Sequence, residues 1–324
     1  MTKELNNTGM SVAGIKKAKK KSFLWTLDQN KWLLLMALPG IILTICFNYL
    51  PMFGIVIAFK NINYAKGIWG SDFIGFKNFE FLFRSPDMFI MIRNTLLYNL
   101  TFIALGLVLS VSLAIMLTEI KNKFLPKVYQ TVIFMPYFFS WVVVGYFSFA
   151  LFNSQYGFIN KAILEPLGMA EIAWFTEPKY WPAIIVLFQI WKSIGYGTVV
   201  YVASIAGIDE SLYEAAAIDG ATKWQQTIHI TVPSLMPIII ILTILNVGKI
   251  FNADFGLFFQ TTLDQGALYQ TTTVIDTYVY RALQVTGDIG MSSAAGFVQS
   301  VVGFVLVIGT NALVKKIDSD SSLF

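Results

Sequence analysis

Three charged side chains, Lys192, Lys249 and Asp254, stand inside stretches that are otherwise apolar. A charge in such a setting is costly unless it faces a cavity or a partner. Near them in the sequence are Gln189, Ser193, Tyr196, Tyr201, Asn246 and Asn252. Asn246, Lys249 and, less squarely, Asn252 follow one another at three-residue steps, which sets them along one face of a helix. Amides and hydroxyls interleaved with tyrosine rings suit a polyhydroxylated solute, held by hydrogen bonds and by aromatic platforms. Gln189, Lys192, Tyr196, Asn246, Lys249, Asn252 and Asp254 are therefore the candidate lining of a passage, and its two lysines favour an anionic solute. The competing reading has Lys249 pairing with Asp254 or reaching outward to the interface.

Other chemistry finds little support. The chain has one histidine, His229, and one cysteine, Cys46, too few for a zinc site or a disulfide framework. Gly248-Lys249 lacks the upstream glycine of a phosphate-binding loop, and no paired carboxylates or nucleophile motif suggest an enzyme. No cofactor bound by this chain is expected. Of its 324 residues, 56% are hydrophobic, 15% aromatic and only 13% charged, and the mean hydropathy is +0.64. Soluble domains carry about a quarter charged residues, so most of this chain faces lipid. The net charge of +4 is unevenly spread, which suits membrane orientation and not nucleic-acid binding.

Elements that could position such groups are readily found. A bilayer core of about 30 Å takes roughly 20 apolar residues in helix, and six such runs occur, at about 32–59, 91–117, 128–152, 181–205, 233–256 and 291–313. Continuous runs select helices over a barrel. The expected fold is all-α and polytopic: a basic tail over 1–31, a six-helix domain over 32–314 and a short tail over 315–324. With the N-terminus inside, thirteen lysines and arginines fall on the cytoplasmic side and eight outside, so both termini are expected in the cytoplasm. The basic run Lys16 to Lys21 resembles a signal peptide, but the apolar stretch after it is too long and lacks a cleavage site. Pro39 and Pro51 are expected to bend span one, and Pro136 span three. Gly290, Gly296 and Gly303 suggest close helix contacts in span six. The aromatic stretch 73–83 reads as a helix lying in the interface.

The best punctuated segment is the loop 207–232, GIDESLYEAAAIDGATKWQQTIHITV. Ser211 with Glu214 has capping-box spacing, as does Thr222 with Gln225. Gly220 sits where a helix ends in a left-handed residue, and Pro233 suits the first turn of a new helix. Two short helices set at an angle are expected, a rigid elbow able to pass force to or from a soluble partner.

Glu214-Ala215-Ala216, Asp219-Gly220-Ala221, Ile230, Val232, Pro233 and Pro237 resemble the EAA loop of ATP-binding-cassette importer permeases, with Val232 where leucine is commonest. The chain is most similar to the carbohydrate, maltose-type class and within it to the polysaccharide or aldouronate branch. Further likeness lies in Phe73 to Phe79, Arg93-Asn94-Thr95, Ile250 to Leu257 and Val274 to Arg281. The resemblance implies a second, similar permease, two cassette ATPase subunits that use ATP and Mg, an extracytoplasmic solute-binding protein and an oligosaccharide substrate, in a bacterial cytoplasmic membrane. It makes Glu214, Ala215 and Gly220 the coupling motif. Leu212, Tyr213, Ala217, Ile218 and Ala221 are then candidates for burial against an ATPase. Glu214 could equally serve only to cap its own helix, and Lys192 could pair with the sister permease. The rival architectures are an ion-driven carrier working alone, which calls for inverted repeats and carboxylates at membrane depth, and an integral membrane enzyme.

Overall fold

The computed structural model describes residues 30–80, 84, 87–122 and 124–317. Most of the basic tail, residues 81–83 of the aromatic stretch and residues 318–324 lie outside the described residues. Met1–Gly54 and Ile55–Phe324 are two compact units.

In the first unit, helix α1 runs over Lys31–Thr44 with Pro39 inside it. The α winding continues through Pro39. The winding changes later, to a π-helix at Ile45–Tyr49 and to a 3-10 helix at Leu50–Phe59. Pro51 removes the N–H that would bond one turn back, and the ladder is re-registered around it.

In the second unit β1 (Lys60–Asn61) pairs antiparallel with β2 (Asp72–Phe73) in a short hairpin. The stretch 73–83 was expected as an interfacial helix. Its described part is a strand end, a turn through Gly75 at φ +61 and a 3-10 turn at Lys77–Phe79, with helix only at Glu80. A positive φ ends helical winding. The Asn78 amide fixes the turn by donating to the Ala58 and Lys60 carbonyls at 3.0 and 2.9 Å.

Long apolar helices follow: α2 (Met88–Thr118), α3 (Leu125–Phe134), α4 (Trp141–Phe152) and α5 (Trp181–Ile205). Beyond them come α6 (Glu210–Ile218), α7 (Val232–Gly248), α8 (Phe255–Thr261), α9 (Ile275–Thr286) and α10 (Ile289–Ile317). Five helical runs among the described residues are long and apolar enough to cross a membrane. The bent pair Leu125–Phe138 and Trp141–Phe152 makes a sixth, so the chain is an all-α polytopic membrane protein.

Two spans depart from the expected form. Span three turns by 97° between its halves. Pro136 lies at the turn, Phe139 and Ser140 take extended backbone, and the Ser140 hydroxyl accepts from the Val143 N–H to start α4 afresh. Span five ends at Gly248 and not near Gly256. It begins earlier, because Lys223–Gln226, a π-turn over Thr227–Thr231 and α7 form one run from Lys223 to Gly248.

Lipid offers little hydrophobic drive between helices, so small residues and close contact decide the packing. Helix α2 lies along α5, α7 along α10 and α8 against α4. A Cβ on Gly145 would come 2.7 Å from the Gln260 carbonyl oxygen, and one on Gly256 would meet the Trp141 ring. Gly303 approaches the Gly248 carbonyl, and Gly290 the Asn78 side chain, as expected of span six; Gly296 has open space instead. The α4–α8 pair joins Trp181, Ile184, Ile185 and Phe188 of α5 and Tyr98 of α2 in the main apolar cluster. The Trp181 indole is fully enclosed and donates to the Trp174 carbonyl at 2.7 Å.

Candidate functional site

A cavity of about 350 Å³ opens between α2, α5 and α7. Asn99 and Ser110 line it from α2, Gln189, Ser193 and Tyr196 from α5, and Asn246 from α7; Lys249 and Asn252 join them from the segment after α7. Five of the seven candidate passage residues are thus brought together. The Gln189 Oε1 is buried with no hydrogen-bond partner among the described residues. A buried acceptor left unpaired is costly, and this one lies in the wall of the cavity.

Lys249 and Asn252 do not continue the helical face of Asn246, because helix geometry stops at Gly248. They stand on a non-helical stretch, 249–254, that side chains from three helices clip in place. Asn99 Nδ2 donates to the Ile250 and Asn252 carbonyls at 2.9 and 3.3 Å. Gln299 Nε2 of α10 donates to the Phe251 carbonyl at 2.8 Å and to Asp276 Oδ2 at 3.2 Å. The same carboxylate oxygen accepts from the Ala253 N–H at 2.8 Å. Irregular backbone packed among apolar helices needs such partners.

Asp276 is absent from the candidate set. The only trace of it in the sequence is a carboxylate at the start of an otherwise uncharged helical turn. Burial pushes its carboxyl above the usual range, opposed by hydrogen bonds from the Ala253 N–H, Gln299 and its own backbone N–H. The native state therefore holds this proton more tightly than the unfolded chain does. Stability from the site is greatest below an ordinary aspartate pKa of about 3.9 and falls as pH rises toward the native value. The unfolding temperature of the wild type should accordingly drop relative to Asp276→Asn as the pH is raised through that window. A difference independent of pH would show that the carboxyl does not titrate differently in the two states.

Lys192 and Asp254 are not in the cavity lining. Lys192 Nζ donates to the Tyr137 carbonyl at 2.8 Å and sits over the Tyr137 and Trp141 rings, 5.4 and 5.2 Å from their centroids. That carbonyl is freed by the bend in span three, which the sequence marks only by Pro136. Asp254 is no part of span five: its Oδ1 accepts from the Gly256 and Leu257 N–H groups at the start of α8, and its Oδ2 from Trp141 Nε1 at 2.7 Å. Lys249 consequently has no Asp254 pairing. It is the one cation in the cavity lining, and among the described residues no carboxylate stands within salt-bridge reach of it.

The elbow has the expected punctuation with one correction. Asp209, not Ser211, caps α6, accepting from the Ser211 N–H at 2.9 Å; the bonds from Ser211 hold its carboxyl below the usual range. Gly220 takes φ +80, and the bonds Gly220 N–H to Ala217 and Ala221 N–H to Ala216 close a Schellman turn. The Thr222–Gln225 capping box forms. The helix it starts is not separate, however, but continues into α7. Tyr213 turns back, its hydroxyl 2.9 Å from Thr231 Oγ1, and so braces α6 against the root of span five. Glu214, Ala215, Ala217 and Gly220 are exposed, and Ala221 is half-buried. Leu212 is exposed, Ile218 is 87% exposed, and Trp224, which is not among the candidates, is 72% exposed. These apolar side chains present a surface fit for a protein partner.

Comparison with known proteins places this geometry. The family model described as "Binding-protein-dependent transport system inner membrane component" matches residues 106–319. Protein LplB of Bacillus subtilis (strain 168) is 35% identical over 300 residues, covering 92% of this chain and 93% of its own. The polygalacturonan/rhamnogalacturonan transport system permease protein YteP of the same organism is 36% identical over 315 residues, covering 97% of each chain. Among solved structures, a chain of a bacterial alginate ABC transporter, crystallised with an alginate pentasaccharide-bound periplasmic protein, superposes with a TM-score of 0.81. It is 31% identical over 92% of this chain and 98% of its own. Matched along nearly its whole length and over the cavity and elbow alike, the chain belongs to the family of binding-protein-dependent transport system inner membrane components, the permease subunits of ABC transporters.

Proposed function

We propose that this permease passes uronide-containing oligosaccharides inward across a bacterial cytoplasmic membrane by alternating access. The observation that carries the reading is the cavity itself: amides, hydroxyls and two tyrosine rings around one ammonium, Lys249. The amides suit sugar hydroxyls, Tyr196 offers a platform, and Lys249 suits a carboxylate. Relatives named for polygalacturonan/rhamnogalacturonan and alginate, both acidic polymers, support the same class.

The chain works beside a second, similar permease, two cassette ATPases and an extracytoplasmic binding protein, with ATP and Mg handled by the ATPases. Both termini and the elbow face the cytoplasm in this reading, supported by the excess of lysines on that side. Leu212, Ile218 and Trp224 dock on one ATPase, and Glu214, Ala215 and Ala217 lie along the same helix. Tyr213 and the Schellman turn at Gly220 keep that helix rigid against span five, so that closure of the ATPase dimer is felt at the cavity.

Uptake into proteoliposomes of the complete transporter tests the substrate class. Lys249→Ala is expected to raise the apparent KM for a uronide oligosaccharide about tenfold, the scale of one charge-assisted hydrogen bond, with little change for a neutral oligosaccharide of equal length. Equal effects on both would remove charge selectivity and leave a permease for neutral sugars.

A further inference from the structure

Two helix breaks lie side by side in this fold, the bend in span three and the stretch 249–254 after span five. A carbonyl freed by a break needs one donor, which a serine or threonine hydroxyl from a neighbouring helix could supply. At Tyr137 the donor is the ammonium of Lys192, at the cost of placing a charge among apolar helices. The ammonium does more than satisfy the carbonyl, because it also lies over the Trp141 ring, whose Nε1–H is held by Asp254. Lys192 and Asp254 thus meet on one indole, in a linkage of cation, ring and carboxylate. Its two ends are fixed to different breaks: Lys192 to the bend, Asp254 to the point where 249–254 hands over to α8.

We propose that Lys192 and Trp141 are positioning residues, a latch that locks the two breaks into one arrangement. The stretch 249–254 is the hinge the latch controls, and it carries Lys249 and Asn252 on its cavity side. On one side of the hinge α7 is packed to α10, with the Gly248 carbonyl against Gly303; on the other, α8 is packed to α4 through Gly145 and Gly256. Neither pair has room for internal sliding, so motion is confined to the hinge between them. Lys192 is then not a solute ligand, and its charge acts on the cavity only through where it leaves Lys249. The inference builds on the alternating-access reading above, but its test needs neither a solute nor an ATPase.

Double electron–electron resonance on the full-length chain in lipid nanodiscs provides that test. The exposed Cys46 is the only cysteine, so labels are placed in a Cys46→Ser background. One pair spans the hinge, at Tyr146 of α4 and Phe304 of α10, both exposed. A control pair lies within the α2–α5 block, at the exposed Val108 and Leu187. Lys192→Met and Trp141→Phe are each expected to broaden the hinge-spanning distance distribution about twofold while the control pair stays narrow. Lys192→Arg, which keeps a donor and a cation over the rings, should restore the narrow distribution. Broadening of both pairs would show that Lys192 merely holds the bundle together, and broadening of neither would show that no latch exists; either result overturns the proposal. Loss of sugar uptake in the wild type would bear on the substrate reading and leave these distances untouched.

Discussion

Valine in place of Gly220 is expected to cut uptake by the assembled transporter about tenfold while leaving the amount of chain in the membrane unchanged. The reason is torsional alone. Gly220 stands at φ +80, and a Cβ built there meets nothing within 4 Å. An L-residue in the left-handed region costs roughly 1–2 kcal/mol, more for a β-branched one. A cost of about 1.4 kcal/mol is a tenfold loss of the correct turn relative to its alternatives. The turn ends α6 through two backbone bonds, so its loss lets the helix run on or fray and displaces Ile218 from the face proposed to dock on an ATPase. No apolar span is touched, which is why insertion is spared. Uptake of purified, reconstituted variants, normalised to permease content, is the measurement. Asparagine at the same position should retain most of the activity, because it tolerates the left-handed region. Wild-type uptake by Gly220→Val would detach the elbow from coupling.

A larger loss, of stability and not of coupling, is expected for Gly195→Val. Here φ is ordinary helix and the obstacle is space. A Cβ on Gly195 would overlap the Ile133 carbonyl oxygen and lie 2.6 Å from the Phe134 Cα. Backbone cannot step aside as a side-chain tip can, so α3 must separate from α5. Overpacking typically costs about 1–3 kcal/mol, and separation in addition draws the Tyr137 carbonyl away from Lys192, leaving a charge unsatisfied. We expect more than about 3 kcal/mol in total, which places the variant among the severe cases. Gly296→Ala is the matched control: span six has open space at that position, so the change should stay within about 0.5 kcal/mol. Thermal unfolding in detergent, followed by size-exclusion chromatography, would separate the two. Equal melting of both variants would mean that α3 and α5 are not in contact.

Much of this arrangement is legible in the sequence, and the parts that are not share a cause. Long apolar runs announce their own helices, because lipid leaves the backbone no other choice. The elbow is equally plain, since Gly220 and the Thr222–Gln225 box are local signals that need no distant partner. Asn246, Lys249, Asn252, Gln189 and Tyr196 reach one cavity because polar groups in apolar runs have few other places to go. The misplacements arise where a distant group decides. Lys192 reads as a passage residue until the bend 55 positions upstream offers it a carbonyl. Asp254 reads as the outer end of span five until Trp141, 113 positions away, claims one of its oxygens. Asp276 stays hidden because its partners, Ala253 and Gln299, are brought to it only by the fold. The cap at Asp209 instead of Ser211 is a smaller matter of two competing side chains at one helix start, with the residue in extended backbone winning.

The bond between Lys192 and the Tyr137 carbonyl also bears on how the protein is made. A lone lysine near the middle of a helix costs about 2.5–3.5 kcal/mol to insert into a bilayer. Its acceptor belongs to the preceding span, so it has already been synthesised when Lys192 emerges. Span four can therefore enter lipid cheaply only if span three is waiting there with its bend formed. Insertion of span four, read by glycosylation mapping, is therefore expected to be more complete with span three upstream than without it.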